Sequence, residues 1–363
     1  SSCPPTTAVC AWCWCVPPMC PPTKYMFDQV FEAIENLHVA VVGDVMLDTY
    51  WFGHTDRISP EAPVPVVAVK GKEYRIGGAG NVALNLVSLG AKVAMHTVTG
   101  TDEDGLLLEI MMKDRGINTE GVWKSDDRMT TNKIRIISRS QHLLRLDYEV
   151  SDDLPADKAQ RFIDKTIALF EQDKPQVVIF EDYNKGVLTK EVIAALLNYC
   201  QQNNIITTVD PKRKNFFAYK GVSIFKPNLK EAKEALNLLE VAPTLAGMQH
   251  VHELLKAQLQ HQVSLITLSE RGVFVQDGNE ASITPAHIRN IADVSGAGDT
   301  VIAVASAIYA CTGNATLMAA VANLAGGLVC EAVGTVAIDK QQLLDECKRL
   351  LANEQEGSQL IDG

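Results

Sequence analysis

From Tyr25 onward, short apolar runs alternate with amphipathic stretches. The runs predict strands at Val39–Val45, Val93–Thr99, Val177–Phe180, Ile206–Asp210, Ser223–Lys226 and Ser264–Leu268. They are continuously apolar, as in strands buried on both faces. Helical spacing fills the gaps, at Asn81–Leu89, Leu106–Arg115, Ala156–Gln172, Lys190–Asn203, Lys230–Leu239 and Met248–Gln260. Two apolar helices, Thr300–Ala310 and Ala315–Val329, follow a Gly/Ala turn. This alternation predicts an α/β fold with a mostly parallel central sheet and helices on both faces. Ligands on such sheets bind beyond the carboxyl ends of the strands. Asp44, Asp210 and Asn228 fall there.

Two segments, about 50–70 and 122–150, break the pattern. The first carries Ile58-Ser59-Pro60-Glu61-Ala62-Pro63-Val64-Pro65 and then Val66–Val69. The second reads as two or three strands, including Lys133–Ile137 and Leu143–Asp147. Together they predict a small β-sheet outside the main body. A few strands bury little alone, so this sheet closes over a substrate as a lid or pairs with a second subunit.

Ser1–Lys24 differs from the rest. It is rich in Cys, Pro and Trp, with Cys3, Cys10, Cys13, Cys15 and Cys20. It lacks the basic start and apolar stretch of a secretory signal, and is expected to lie outside the fold, which spans 25–355. The body has only Cys200, Cys311, Cys330 and Cys347, widely spaced, which reads as reduced and cytoplasmic. Net charge is −11 with no Lys/Arg-dense run, which argues against nucleic acid and anionic membranes as partners. No apolar run reaches the roughly 20 residues of a membrane span.

Asp293-Val294-Ser295-Gly296-Ala297-Gly298-Asp299 carries the most chemistry. Small residues let backbone N–H groups converge at a helix start, which suits a phosphoryl anion. Asp299 beside them is placed to take a proton from an attacking hydroxyl. Gly77-Gly78-Ala79-Gly80-Asn81 also opens a helix. Its Gly-x-Gly-x-x-Ala pattern fits a dinucleotide fingerprint, with Asp102 at about the right distance, but no strand is expected immediately before it. Asn81 instead offers a donor and an acceptor to a polyhydroxyl ligand. Asp44 and Asp48 are candidates to grip sugar hydroxyls, or else a helix cap and a solvated acid. Asn228 and Glu231 fit a capping box, and equally an oxygen pair orienting magnesium-bound water. Thr267, Ser269 and Gly272 close a strand where a nucleotide could rest, and Lys212 could reach a phosphate. His250 and His252 read as surface residues.

The two glycine-rich stretches, Gly77–Gly100 and Asp293–Ala305, resemble the paired motifs of the PfkB, or ribokinase-like, carbohydrate kinases. Gly43–Asp48, Arg57–Val66, Leu143–Asp147, Asp182–Gly186 and Asp210–Lys212 further resemble the heptose-phosphate kinases of that family. Coverage runs from about Leu37 to Leu350. Relatives carry a lysine shortly before Gly334-Thr335, which this chain lacks. In many bacteria the kinase is fused to a nucleotidyltransferase with a His-x-Gly-His motif. None occurs here, so a stand-alone kinase is expected.

The resemblance implies a ribokinase-like fold with a β lid and transfer of the ATP γ-phosphate to a sugar hydroxyl. Asp299 would be the base, with Gly296, Ala297 and Gly298 holding the phosphoryl group. Asp44, Gly77, Gly78 and Asn81 would bind the sugar. Lys133, Arg135, Arg139, Arg145 and Lys185 are candidates for its phosphate; strand alternation puts Lys133 and Arg135 on one face. Asn228 and Glu231 would act through magnesium, and Ser269, Gly272 and Asn323 would line the ATP site. ATP, Mg2+ and a monovalent cation are the implied cofactors, and a homodimer through the lid the implied assembly. Competing readings are a kinase for another sugar or nucleoside, a non-catalytic sugar-binding protein, and a dinucleotide-dependent oxidoreductase.

Overall fold

The computed structural model describes residues 24–139 and 141–351. The chain opens on α1 (Lys24–Ile34), an amphipathic helix that the strand–helix pattern did not announce. Most of the Cys-rich stretch, 1–23, lies outside the described residues, as do 352–355 of the expected domain. β1 (His38–Gly43) follows, and β2 (Val45–Ile58) begins after a break at Asp44, so the single strand expected at Val39–Val45 is two. β3 (Pro65–Gly78) runs straight into α2 (Ala79–Ser88). A strand therefore does precede the first glycine motif, contrary to expectation. It is an antiparallel partner of β2 rather than a central parallel strand.

β4 (Lys92–Gly100), α3 (Glu103–Asp114) and β5 (Asn118–Ser125) come next. The hairpin β6 (Asn132–Ser138) and β7 (Gln141–Tyr148) is followed by α4 (Ala156–Asp173) and β8 (Val177–Glu181). Then come α5 (Lys190–Gln202), β9 (Ile206–Asp210), the two-residue β10 (Ile224–Phe225), α6 (Leu229–Ala235) and α7 (Leu245–Leu259). β11 (Val263–Thr267) is followed by the hairpin β12 (Val273–Asp277) and β13 (Glu280–Thr284), which the apolar pattern missed. α8 (Ala297–Thr312), α9 (Ala315–Val329) and α10 (Lys340–Glu346) close the fold.

Nine strands form the main sheet in the order β13-β12-β11-β10-β9-β8-β1-β4-β5. Every pair from β5 to β11 is parallel, and β12 and β13 add an antiparallel edge. Alternate residues of β1 face opposite cores. Val39 and Val41 join the helices α1, α2, α8 and α9, whereas Ala40 and Val42 join α4, α5 and α7. Each large side chain removed from water there contributes about 1.5–3 kcal/mol.

The second sheet has the order β3-β2-β6-β7. β2 is buried over its first six residues and exposed over its last three, so the lid rises out of the core. Residues 122–125, expected in this lid, belong instead to β5 of the main sheet. Asp102, the acid of the dinucleotide pattern, caps α3: it accepts from Gly105 N at 2.8 Å and Thr130 N at 2.7 Å. His252 is buried rather than on the surface, with Nδ1 2.8 Å from Ser264 Oγ.

Candidate active site

The carboxyl ends of β1, β8 and β9 lie level. Gly43 pairs with Glu181, and Glu181 with Asp210. Glu181 and Asp210 are the last residues of β8 and β9 and Asp44 directly follows β1, and all three are buried. α8 starts above them. Gly296, its N-cap, has φ 77°, a conformation that glycine adopts at little cost. The first amides of α8 have no intrahelical acceptor and carry the positive end of the dipole.

Asp299 lies in that first turn and is 5% exposed. Its Oδ2 accepts from Asn81 Nδ2 at 2.8 Å and its Oδ1 from Tyr183 Oη at 2.7 Å. No ion pair engages it among the described residues. Burial pushes its carboxyl up to about 6, while the bonds from Asn81 and Tyr183 pull it down. The two glycine motifs therefore meet in space, through Asn81 on α2.

Beside the α8 turn stand two lysines. Lys226 Nζ lies 2.8 Å from Asp210 Oδ2, and a β-carbon on Gly298 would sit 3.7 Å from Lys226 Nζ. Lys212 bridges Asp210 and Glu231, 3.0 Å from each. Burial alone would raise Asp210, but the two lysines outweigh it and hold the carboxyl below its ordinary value. Lys212 and Lys226 also pull Glu181 down, but less than its surroundings push it up. Both its oxygens are buried without a hydrogen-bond partner, and burial, with Asp210 and Asp299 adding repulsion, pushes it well up. Glu181, Asp210 and Asp299 bring one oxygen each within 4.8 Å of one another, the group among the described residues that could hold a metal ion.

The expected metal pair is arranged differently. Asn228 Oδ1 accepts from Glu231 N at 2.8 Å and Glu231 Oε2 from Asn228 N at 2.9 Å, a complete capping box. Glu231 Oε1 takes Lys212. Both residues thus have structural work, and water-mediated cation contact would be additional to it.

Asp44 also has prior commitments. It is 2% exposed and accepts from the amides of Tyr183 at 2.9 Å, Lys185 at 3.0 Å and Val187 at 3.2 Å. It clamps the loop after β8. About four lone-pair sites on a carboxylate leave roughly one for a sugar hydroxyl. Asp48 points along β2 into an ion pair with Arg135 Nη1 at 2.6 Å. A β-carbon on Gly77 would meet Asp48 Oδ2 at 2.2 Å, so any larger residue there must displace the Asp48 carboxylate. Gly78 is the N-cap of α2.

Among the cations expected for a sugar phosphate, Lys133 and Arg135 share a face of β6. Lys133 Nζ is 5.7 Å from the Tyr183 ring, and burial lowers its pKa. Arg145 lies directly across from Arg135 but is exposed and paired with Asp147. Arg139 is 76% exposed and paired with Asp56, which leaves it on the outer lid. Lys185 Nζ is 2.6 Å from Glu149. On the other side, Thr267 ends β11, Ser269 starts a 3-10 turn and Gly272 closes it. Asn323 on α9 donates to the Pro285 carbonyl at 2.8 Å. Nearby apolar residues Ile291, Val294 and Val333 are exposed.

Sequence reasoning missed three site roles. Glu181 reads as the end of an apolar strand, Lys226 as a residue before proline, and Tyr183 as part of a motif without a role. Only the level strand ends bring them to Asp299.

A buried carboxylate at a helix N-terminus, flanked by lysines above parallel strand ends and beneath a β lid, defines a phosphotransferase of the sugar-kinase class. The profile described as pfkB family carbohydrate kinase matches residues 36–342, and the chain belongs to that family. The bifunctional protein HldE of Geotalea uraniireducens (strain Rf4) is 37% identical over 321 residues, 88% of this chain and 64% of its own length. That of Desulfatibacillum aliphaticivorans is 39% identical over 312 residues, 85% of this chain and 62% of its own. The chain thus spans less than two thirds of these relatives. Phosphofructokinase-2 from Escherichia coli, in a crystal structure with potassium, aligns with TM-score 0.72 at 15% identity, covering 87% of this chain and 99% of that one. Arabidopsis thaliana ribokinase complexed with ribose and ATP aligns with TM-score 0.65 at 15% identity, covering 85% and 98%. At such identity the likeness is one of fold.

Proposed function

We propose that this carbohydrate kinase transfers the γ-phosphate of ATP to the anomeric hydroxyl of D-glycero-β-D-manno-heptose 7-phosphate. The product is the 1,7-bisphosphate, a precursor of ADP-heptose and lipopolysaccharide. The kinase chemistry rests on one observation above others: Asp299 is buried, unpaired by any cation among the described residues, and sits in the first turn of α8. The heptose acceptor rests on the similarity of Arg57–Val66, Asp182–Gly186 and Asp210–Lys212 to heptose-phosphate kinases.

In this reading Asp299 takes the proton of the attacking hydroxyl. The amides of Gly296, Ala297 and Gly298, with Lys226 beside them, receive the charge that gathers on the transferring group, the Ala297 amide giving up its 3.3 Å bond to the Val294 carbonyl to do so. Preorganised donors of this kind are worth about 3–4 kcal/mol of barrier each. Asn81, Gly77 and Gly78 meet the sugar, and Lys133 and Arg135 on the lid face its phosphate. Lid closure excludes water and limits wasteful hydrolysis. ATP occupies the side built from Thr267, Ser269, Gly272, Asn323, Lys212, Asn228 and Glu231. Magnesium, when bound with ATP, neutralises phosphate charge; the unpartnered Glu181 beside Asp210 fits it, with Asn228 and Glu231 reaching it through water. A lid-mediated homodimer fits the exposed Leu144 and Tyr148 on the edge strand β7. ATP as donor supports a cytoplasmic location.

An acceptor panel with coupled ADP detection tests the assignment. The heptose 7-phosphate is expected to give the highest kcat/KM, above fructose 6-phosphate, ribose and nucleosides. Preference for one of those would replace the acceptor and keep the chemistry. The Asp299→Asn variant is expected to bind ATP and lose roughly 100- to 10,000-fold in kcat. Near-normal phosphorylation by it would overturn the base.

A further inference from the structure

Tyr183 is held from several sides. Its amide donates to Asp44 Oδ2 at 2.9 Å, and its hydroxyl donates to Asp299 Oδ1 at 2.7 Å. The ammonium groups of Lys133 and Lys212 lie 5.7 and 5.5 Å from its ring centre. One lysine belongs to the lid strand β6 and the other follows β9, so the ring stands between the lid and the ATP side.

With Asn81 on Oδ2, the Tyr183 hydroxyl is the second donor on Asp299; about two acceptor sites stay open, but the carboxylate is only 5% exposed, so a sugar hydroxyl reaches it only if a covering group moves. An incoming sugar hydroxyl needs a lone pair on the same carboxylate. Asn81 is not free to yield: it lies on α2, is 0% exposed, and its own carbonyl groups accept from Asn85. Tyr183 lies on a loop, next to Asn184 with φ 55°, and is tied to Asp44 through its backbone amide rather than its side chain.

We propose that Tyr183 is a stopper: its hydroxyl holds the acceptor's place on Asp299 until the sugar hydroxyl displaces it. Resting on Asp299 as the base, this makes Tyr183 a positioning residue that guards ATP. Without the stopper, a water takes the vacant place. Its oxygen attacks the γ-phosphorus as its proton passes to Asp299, the bond to the ADP oxygen breaks, and inorganic phosphate leaves.

The test is Tyr183→Phe, compared with wild type at saturating ATP. kcat/KM for the sugar then reports the sugar-free form and kcat the loaded form. Sugar-independent ATP hydrolysis is expected to rise about threefold or more relative to kinase turnover. The acid limb of kcat/KM is expected to move to higher pH, because a donor that favours the ionised carboxylate is gone. The acid limb of kcat should stay in place, since in the loaded form the tyrosine has already left. An unchanged hydrolysis ratio, or both limbs moving together, overturns the stopper; the latter would mark a permanent orienter. Thermal melting and ATP affinity check that the variant folds. If it does not, wild-type protein carries the test: adding heptose 7-phosphate without ATP should give a near-ultraviolet tyrosine difference signal, and its absence sinks the idea. Asp299→Asn separates the two readings, because an active variant removes the base itself. An inactive one beside an unaltered Tyr183→Phe removes only the stopper.

Discussion

Asn81 Nδ2 donates to Asp299 Oδ2 at 2.8 Å across 218 positions of sequence. This bond ties the first glycine motif to the second and orients the carboxylate proposed as the base. Asn81→Ala removes a hydrogen bond to a charged group, worth about 1.5–3 kcal/mol. We expect kcat/KM to fall roughly 10- to 100-fold. The bond lowers the Asp299 pKa, so its loss should also shift the acid limb of the pH–rate profile upward. Steady-state kinetics from pH 5 to 8 check both.

In the wild-type enzyme, the acid limb of kcat/KM should fall with an apparent pKa of about 6, since Asp299 must be ionised to accept a proton. Below it, the rate should drop about tenfold per pH unit.

The same burial costs stability. The folded Asp299 holds its proton up to about 6, above the ordinary 3.8, so the native state binds more protons than the unfolded chain between those values. Stability from this group is therefore present at low pH and lost as pH rises through that window. About two units correspond to at most ~3 kcal/mol. Asp299→Asn, which removes the buried charge, should melt higher than wild type at pH 7. The gain should shrink towards pH 4, as calorimetry at the two pH values would show.

On the lid, Arg135 and Asp48 pair at 2.6 Å with the carboxylate 7% exposed. Arg135→Ala leaves that carboxylate buried alone and is expected to cost about 3 kcal/mol. Loss of a phosphate contact should also raise the KM for the sugar phosphate about tenfold or more. Adding Asp48→Asn should restore most of the stability but not the KM. A double-mutant cycle read by denaturant melts and kinetics separates the two effects.

Lys226, 3% exposed, makes a comparable buried ion pair with Asp210 at 2.8 Å. Lys226→Met strips one of two cations from a buried carboxylate. We expect a loss of about 3 kcal/mol in stability and at least a tenfold drop in kcat. Tm and single-turnover phosphorylation report them separately.

The order of elements was legible from the sequence because its signals are local. The run at Ala315–Val329 became α9 over those same residues, and Asn228-x-x-Glu231 became a capping box. The Gly-Ala-Gly-Asp turn announced Asp299 because a positive φ at Gly296 and a helix start require small residues there. β12 and β13 escaped notice because each is five residues long and gains its meaning from antiparallel pairing at a sheet edge.

By itself, then, the sequence determined the α/β alternation, the segments of the small second sheet, both glycine motifs and the place of Asp299 at a helix start, each encoded within a few neighbouring residues. Tertiary structure alone decided which groups surround that carboxylate. Strand register sets Glu181 level with Asp210, and the packing of α2 against α8 delivers Asn81. The loop clamped by Asp44 delivers Tyr183. Contacts made between strands and helices distant in sequence leave no local periodicity, so nothing short of the folded chain brings them together.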